Sequence, residues 1–347
     1  SVAQTSASGD GALEKTMSEH HYKPNLRDTE FNLFEYLKVQ DSTFGKGEFE
    51  NMDEPTARES LKGILQIAEN EFAAAFVEGD KHGVKFDGEG NVKVSPLMNK
   101  AIRKWFDDGW HRFECPERMG GFGGPPSVCW AGWEFIAGAN APIGFYTFGA
   151  LIARIIEKEG TKEQLEKFGL PMIEKAWGGT MVLTEPNAGS DVGAGRSTAK
   201  HVEGDVWHLE GVKRFITNGD FDAVDNIIHL VLARPPDGDV GTKGLSCFIV
   251  PKFLVNEDGS LGERNNVSCG ALEHKMGIHG NSTCLLNFDG ATGYLVGKAN
   301  KGLNYMFTFM NFARIGTGLQ GLAHTELAFQ NSLAYSRDRL QMRSLTG

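Results

Sequence analysis

The chain has 347 residues, of which 40% are hydrophobic and 23% are charged, and this composition indicates a globular protein with two or three domains. Its formal net charge of −10 at pH 7 disfavours nucleic acid or an anionic membrane surface as the main partner. No apolar run approaches the roughly 20 residues that a membrane-spanning helix needs. The 5 cysteines are scattered without metal spacing, which is typical of reduced core residues in a cytoplasmic protein.

The N-terminal stretch differs in composition from the rest of the chain. Residues 1–16 are rich in Ser, Ala and Gly, and they lack the basic start and the apolar segment of a secretory signal. We interpret residues 1–16 as a tag or a disordered extension, and Met17 as the native start.

Residues 17–177 are predicted to form an N-terminal arm and a helical domain. Apolar side chains recur at helical spacing over residues 61–76, which indicates a helix with one buried face. Ser95-Pro96 is typical of a helix start, and Thr161-Lys-Glu-Gln has the form of a capping box.

Residues 178–298 are predicted to form a middle antiparallel β domain. Short β-rich runs such as residues 226–233 and 245–250 lie close together without long helices between them, so we expect a sandwich or a barrel. The helical period returns at Lys301, and residues 299–347 are predicted to begin a C-terminal helical domain that is incomplete here. The predicted fold class is therefore α+β, in the order helix, sheet, helix.

A first motif, Met181-Val-Leu-Thr-Glu-Pro-Asn-Ala-Gly-Ser-Asp-Val-Gly-Ala194, joins an apolar strand to a loop of small residues. In such a loop, backbone N–H groups can face outward without a bulky side chain in the way, which suits an anion or the polar edge of a cofactor. A strand that ends in an ordinary surface turn explains the same composition.

Two further motifs could carry chemistry. Gly211-Val-Lys-Arg-Phe-Ile-Thr-Asn-Gly219 is expected to connect two strands, and taken alone it is a turn in which Asn and Gly adopt positive φ. Asn311-Phe-Ala-Arg314 begins a glycine-rich helical segment, where the arginine is most simply a surface charge.

The motifs together resemble those of acyl-CoA dehydrogenases. Leu183-Thr-Glu-Pro-Asn-Ala-Gly-Ser-Asp191 is similar to the flavin-binding signature of that family, and Phe215-Ile-Thr-Asn-Gly219 to its downstream aromatic segment. Residues 22–31 and 273–277 extend the resemblance to nearly the whole chain after Met17. The resemblance is to the long bacterial branch, which includes enzymes for fatty acyl-CoAs and for 3-methylmercaptopropionyl-CoA.

The resemblance implies an FAD site. It places the Thr217 hydroxyl near the flavin N5, the Thr184 hydroxyl near the pyrimidine edge and the Phe215 ring along the isoalloxazine. Hydroxyl donors can hold a reduced, electron-rich ring without adding a competing acid. The implied cofactor-binding residues are Met181, Leu183, Thr184, Gly189, Ser190, Phe215, Thr217, Arg339 and Gln341.

The C-terminal members of this set are implied to act across a dimer. In the family, residues at the positions of Arg339 and Gln341 reach the flavin pyrophosphate of the other subunit, and a forked guanidinium suits a diphosphate. Met342-Arg343 replaces the usual Phe-Gly here. Ser190 and Arg314 are the implied substrate-binding residues, with Arg314 near the thioester.

The implied reaction is FAD-dependent α,β-dehydrogenation of an acyl-CoA thioester to the trans-2-enoyl-CoA, as in fatty-acid β-oxidation. A glutamate takes the α-proton while the β-hydrogen leaves as hydride to the flavin N5. Glu185 is expected to be structural, and the third motif has Ala313 where some members have glutamate. Glu326 and Asp338 do not match the expected context either. We therefore expect a fragment whose catalytic base lies beyond Gly347.

The implied partners are the acyl-CoA substrate, electron-transferring flavoprotein as electron acceptor, the remainder of the polypeptide or a separate C-terminal chain, and a second subunit of a homodimer or a tetramer. Three alternatives stay open: an acyl-CoA or nitroalkane oxidase, a flavin-bound relative that binds DNA, and a scaffold without catalysis. Acyl chain length is not predicted, because Phe106, Trp110, Phe122 and Phe145 suit a core as well as a pocket.

Overall fold

The computed structural model describes residues 21–343 and residue 346. The predicted tag over residues 1–16, the start at Met17 and the catalytic base expected beyond Gly347 lie outside the described residues.

Helices make up most of the chain before the first long strand. Helices α3 and α4 continue each other through a π-helical turn at Ala68–Phe72, and the predicted apolar stripe along them is buried, with Leu61 and Phe72 inaccessible to solvent. Their bounds are α1 (Leu26–Glu30), α2 (Val39–Ser42), α3 (Glu54–Ile67), α4 (Ala73–His82), α5 (Pro96–Asp107), α6 (Pro126–Tyr146), α7 (Gly149–Glu159), α8 (Lys162–Gln164) and α9 (Leu170–Glu174).

The predicted helix starts are confirmed. Helix α5 has Ser95 at its N-cap and Pro96 as its first residue. Before α8, the Thr161 hydroxyl accepts from the Gln164 amide N–H while the Gln164 side chain accepts from the Thr161 N–H, both at 3.2 Å. This reciprocal pair satisfies two donors that a helix end leaves free.

Helix α6 is the central helix and is broken near its end. Asn140 has φ −163° and ψ 84°, because Pro142 two residues later cannot continue the helical hydrogen-bond pattern. The Asn140 side chain donates to the Phe72 carbonyl oxygen at 3.0 Å. After the break, the Tyr146 hydroxyl in the last turn of α6 donates to the Gly280 carbonyl oxygen at 3.0 Å, which ties this turn to the segment before β11.

A seven-stranded sheet follows, in the order β3, β6, β7, β11, β5, β4, with β10 beside β11. The β3–β6 pair is parallel and the other pairs are antiparallel, so the predicted antiparallel domain is in fact mixed at this pair. The strands are β1 (Lys85–Phe86), β2 (Val92–Lys93), β3 (Gly178–Val182), β4 (Thr198–Glu203), β5 (Val206–Thr217), β6 (Ile227–Ala233), β7 (Ser246–Pro251), β8 (Phe253–Val255), β9 (Leu261–Arg264), β10 (Val267–Leu272) and β11 (Thr283–Val296).

The sheet is covered on both faces at its centre. Every residue of β6 is buried: Ile228 and Leu230 join a core with residues of α7 and α9, while Val231 joins a core with residues of β5 and β11. Burial on both faces explains why β6 is a continuous apolar run rather than an alternating one.

The last helix, α10 (Gly302–Asp338), returns to the helical part. It crosses α6, where the Trp133 indole N–H donates to the Gly316 carbonyl oxygen at 3.0 Å and Trp130 packs on Phe312 with ring centroids 4.2 Å apart. The order helix, sheet, helix is as predicted, whereas the domain boundaries at 177/178 and 298/299 stay predictions. Within the described residues, no single helix combines the length and apolar character needed to cross a membrane.

Candidate functional site

A cleft opens where the end of β3, the end of β5, α6 and α10 meet. It encloses about 1150 Å³ of empty space, part of it open to solvent. Three kinds of group line it: aromatic rings, backbone at the small residues, and hydroxyls. The lining residues used below are Trp130, Trp133, Phe148, Thr180, Met181, Leu183, Thr184, Gly189, Phe215, Thr217, Asn218, Phe312 and Ala313.

The first two motifs are bonded directly to each other at the edge of this cleft. The Arg214 N–H donates to the Thr184 carbonyl oxygen at 2.8 Å, and the Lys213 ammonium donates to the Leu183 carbonyl oxygen at 2.9 Å. These bonds hold the chain after β3 against β5. They bring Thr184 and Thr217, which lie far apart in sequence, to the same cleft.

Glu185 anchors the loop that follows β3. Its carboxylate accepts from the Arg196 N–H at 2.6 Å, the Ser197 N–H at 3.0 Å and the Lys213 ammonium at 2.9 Å. Glu185 and Lys213 are both buried. Because every described partner is a fixed donor, the carboxylate acts as a structural clamp, in agreement with the structural role expected for it.

The charge state of Glu185 follows from these contacts. Burial alone raises the pKa of a carboxyl group, but the adjacent Lys213 ammonium and the donated hydrogen bonds outweigh burial and lower the pKa of Glu185 to about 2. A carboxylate held ionised in this way is a poor proton acceptor near neutral pH. Glu185 is therefore unsuited to be a general base.

Phe215 lies on a bulge of β5. The pairing with β11 shifts register between Cys284 and Leu286, so that Lys213 and Ile216 are paired while Arg214 and Phe215 between them are not. Phe215 has φ 61°, in a region that non-glycine residues seldom adopt. Bulges redirect side chains, and the ring, 54% exposed, lines the cleft.

The second motif thus differs from its prediction. We expected residues 211–219 to connect two strands, yet β5 continues to Thr217, because β11 is long enough to pair with it as far as Thr283. The predicted positive φ is present at Asn218, at 57°, but not at Gly219. The turn starts at Asn218 rather than earlier.

Six of the residues predicted to bind a cofactor line the cleft. Ser190 is exposed beside Gly189 and is not in the lining. The cleft-lining residues of the predicted set are Met181, Leu183, Thr184, Gly189, Phe215 and Thr217.

The predicted residues on and beyond α10 lie elsewhere. Arg314 is exposed, donates to the Asn311 side chain at 3.0 Å and is not in the lining, although Ala313 beside it is. Arg339 and Gln341 are exposed and follow the end of α10, about 33 Å of helix beyond the cleft residue Thr317. Their predicted contact with a partner subunit stays a prediction.

Sequence reasoning did not identify several residues that shape the site. The Thr180 hydroxyl and the His229 ring lie 2.7 Å apart, both buried, because β3 and β6 pair in parallel with these residues opposite each other. Asn218 donates to the Phe145 carbonyl oxygen and accepts from the Asn281 amide at 2.6 Å. No short motif marks such pairs, since they depend on strand register.

The arrangement suits a flat ring with polar edges. Met181, Leu183 and the exposed Phe215 ring offer apolar surfaces, while the Thr184 and Thr217 hydroxyls can donate or accept hydrogen bonds in the same cleft. Such a combination of apolar walls and a few convergent polar groups is typical of cofactor and ligand sites.

Known proteins resemble this chain in sequence and in structure. The family model "Acyl-CoA dehydrogenase, middle domain" matches residues 180–291. The chain is 43% identical over 333 residues to the broad-specificity linear acyl-CoA dehydrogenase FadE5 of Mycobacterium tuberculosis, and 37% identical over 329 residues to the 3-methylmercaptopropionyl-CoA dehydrogenase of Ruegeria pomeroyi. These matches cover 94% of this chain but 54% and 55% of the two relatives, so the chain spans about half of their length.

A solved structure with the same architecture is that of butyryl-CoA dehydrogenase from Megasphaera elsdenii. It superposes with a TM-score of 0.68 at 28% identity, over 85% of this chain and 72% of that one. The likeness therefore includes both the helical part and the sheet.

Proposed function

This chain belongs to the acyl-CoA dehydrogenase family, and we propose that it supplies the FAD-binding cleft of an enzyme that dehydrogenates acyl-CoA thioesters to trans-2-enoyl-CoAs, as in fatty-acid β-oxidation. The observation that carries this proposal is the direct bonding of the first two motifs. Leu183 and Thr184 are held against Lys213 and Arg214, so that both predicted hydroxyls and the Phe215 ring line one cleft.

The residues present suit an isoalloxazine ring. The Phe215 ring is 54% exposed despite its apolar character, and its backbone is held at positive φ. The Arg214 guanidinium lies over the ring, 4.9 Å from its centroid, so this strained position presents the rest of the aromatic surface to the cleft. Thr184 and Thr217 provide hydroxyls beside it. When bound, FAD supplies the hydride acceptor that no amino-acid side chain provides.

The chain's own residues bind, orient and exclude water. In this proposal, Met181 and Phe215 cover the ring, the Thr217 hydroxyl donates at N5 and the Thr184 hydroxyl binds the pyrimidine edge. Gly189 keeps the loop free of side-chain bulk on the cleft side. Trp133, fixed by its bond to α10, and its aromatic neighbours keep water from the reacting end.

The proton acceptor is proposed to lie outside the described residues. No aspartate or glutamate is among the described residues that line the cleft. Glu185 is already held by its donors, and Glu326 lines a separate groove with the N-terminal arm. We therefore place the base that removes the α-proton outside the described residues, in further sequence or in another chain.

The proposed partners follow from the same reaction. The acyl-CoA substrate is bound with the help of Ser190 and Arg314, and Arg339 and Gln341 reach the pyrophosphate of a second subunit in a homodimer. Electron-transferring flavoprotein accepts the electrons, and the protein is cytoplasmic. An oxidase reaction is a second possibility for the same cleft, and peroxide formation on addition of acyl-CoA distinguishes it.

The first test is cofactor binding. The purified chain, titrated with FAD, is expected to retain flavin absorbance after gel filtration. Thr184→Val and Phe215→Ala are each expected to weaken FAD binding about fivefold, because each removes one contact worth roughly 1 kcal/mol. Thr198→Val, at an exposed position of β4, is the matched control. A chain that stays folded and colourless in excess FAD contradicts the proposal.

A further inference from the structure

A second cavity lies beside the cleft, among the helices. It has about 560 Å³ of empty space, part of it open to solvent. Seven of its lining side chains are Trp or Phe rings, and one is a carboxyl group. The rings are Trp105, Trp110, Phe113, Trp130, Trp133, Phe148 and Phe312, and the carboxyl is that of Glu114.

The two cavities share an aromatic partition, which we define as Trp130, Trp133, Phe148 and Phe312, since these rings line both. Trp130 and Phe312 have centroids 4.2 Å apart, and Trp133 and Phe148 have centroids 5.8 Å apart. The second cavity therefore adjoins the cleft directly across this partition.

Glu114 is unusual in this aromatic surrounding. Among the described residues it makes no hydrogen bond and no ion pair, and Arg154 acts on it only at longer range. Burial raises the pKa of Glu114 to about 7. The side chain is only partly accessible to solvent and lines the cavity. Its carboxyl group is therefore free to accept a hydrogen bond from a ligand there.

Two residues that line the cavity each have a buried polar atom without a partner in the described structure. The Trp105 indole N–H is buried without an acceptor. The His111 Nε2 lies 2.8 Å from the Ile173 carbonyl oxygen and so carries the proton, which leaves Nδ1 as a buried acceptor without a donor. Trp105 and His111 are 5% and 6% exposed. The lining of this aromatic cavity therefore includes two residues with a buried, unpartnered polar atom and one partly accessible carboxyl group.

We propose that the second cavity receives the distal end of the acyl group and selects chains that end in a small uncharged hydrogen-bond donor, such as a hydroxyl, which the Glu114 carboxyl accepts. This inference rests on the proposed function of the cleft. An uncharged donor is favoured over a cation because Arg154 already provides positive potential at the carboxyl. Glu114 is a specificity residue and not the base, since the aromatic partition separates it from the cleft.

The test uses the FAD-loaded chain and unreactive S-alkyl-CoA thioethers of short, medium and long chain. Each thioether is compared with its counterpart of equal length that ends in a hydroxyl, and dissociation constants are measured by calorimetry. At the length that reaches Glu114, the hydroxyl-ended ligand is expected to bind about tenfold more tightly, the effect of one well-placed hydrogen bond. Glu114→Leu is expected to remove this preference and to favour the methyl-ended ligand.

Two variants make the test specific. Glu114→Gln keeps a carbonyl acceptor of the same size and is expected to keep the preference, while Glu50→Gln at an exposed position is expected to change nothing. Retained flavin absorbance shows that each variant is folded.

Three results overturn the inference. In the first, methyl-ended and hydroxyl-ended ligands bind equally at every length. In the second, Glu114→Leu keeps the preference. In the third, an ammonium-ended ligand binds most tightly. If the flavin-loaded chain binds no thioether at all, the proposed function of the cleft fails as well. If it binds thioethers but shows no preference for the hydroxyl end, only the inference about the second cavity fails.

Discussion

Glu185 and Lys213 form a buried ion pair whose loss has a large predicted cost. Their side chains are 9% and 2% exposed, and the carboxylate also holds the loop after β3 through two N–H groups. Glu185→Gln leaves the buried Lys213 ammonium without its counter-charge, so we expect a loss of about 3–5 kcal/mol in the free energy of unfolding. Urea denaturation of the wild type and the variant measures this loss.

Two further variants test the origin of that loss. Glu185→Leu combined with Lys213→Met removes both charges and is expected to be more stable than Glu185→Gln, because no unpaired charge is left buried. Glu210→Gln, on the exposed side of the same strand, is expected to stay within about 0.5 kcal/mol of the wild type. A Glu185→Gln variant as stable as Glu210→Gln is incompatible with the clamp.

The same pair predicts a dependence of stability on pH. The pKa of Glu185 is about 2 in the folded chain, against an ordinary value of 4.5, so the unfolded chain binds this proton more readily. The stabilisation is complete above the ordinary pKa and is lost as pH falls from 4.5 toward 2. The difference in unfolding free energy between wild type and Glu185→Gln should shrink over that range. A constant difference contradicts the prediction.

At this scale, sequence reasoning identified individual residues better than their contacts. The structural role of Glu185 was expected from its place in the signature, but Lys213, 28 residues away, was not identified as its counter-charge. Likewise, Thr184 was predicted and its buried neighbour pair Thr180–His229 was not. A motif identifies residue types at fixed spacing, whereas a contact across strands depends on a register that the local sequence does not determine.

At the scale of elements, the bulge in β5 sets the position of Phe215. A side chain at positive φ costs roughly 1–2 kcal/mol, which glycine avoids. Phe215→Ala and Phe215→Gly both remove the ring, so we expect the glycine variant to be the more stable of the two by about 1 kcal/mol. Val212 is the control, because it is an exposed position of the same strand and does not have a positive φ. There the order should reverse, with the alanine variant more stable than the glycine variant by about 0.5–1 kcal/mol. Thermal or urea unfolding of the four variants decides it, and the same order at both sites is inconsistent with the bulge.

Element prediction succeeded where local signals were strong. The start of α5 at Ser95-Pro96 and the capping box at Thr161 concern neighbouring residues and were confirmed. The end of β5 was misplaced, because Asn218-Gly219 has the sequence of a turn, while pairing with the distant β11 extends the strand to Thr217. The parallel β3–β6 pair was missed for the same reason.

At the scale of the whole molecule, α10 presents an apolar face that the described chain leaves uncovered. Phe307, Ile315, Leu322 and Phe329 are 38–57% exposed, and at 8, 7 and 7 residues apart they lie within about 80° of one another around the helix. A stripe with nearly heptad spacing is typical of a helix that packs along another helix. The proposed homodimer and the proposed further C-terminal chain both provide such a partner.

We expect this chain alone to associate through that stripe. Sedimentation of the purified chain should show a dimer or larger species, and Leu322→Lys combined with Phe329→Lys should shift it toward monomer, because two charges placed in an apolar helix interface are costly to bury. His324→Lys, about 150° away from the stripe around the helix and also exposed, should leave association unchanged and serves as the control for added charge. A wild-type chain that stays monomeric at high concentration contradicts self-association through α10. The partner of the stripe is then a different chain. If the stripe variant and the control variant reduce association equally, net charge rather than the apolar stripe controls association.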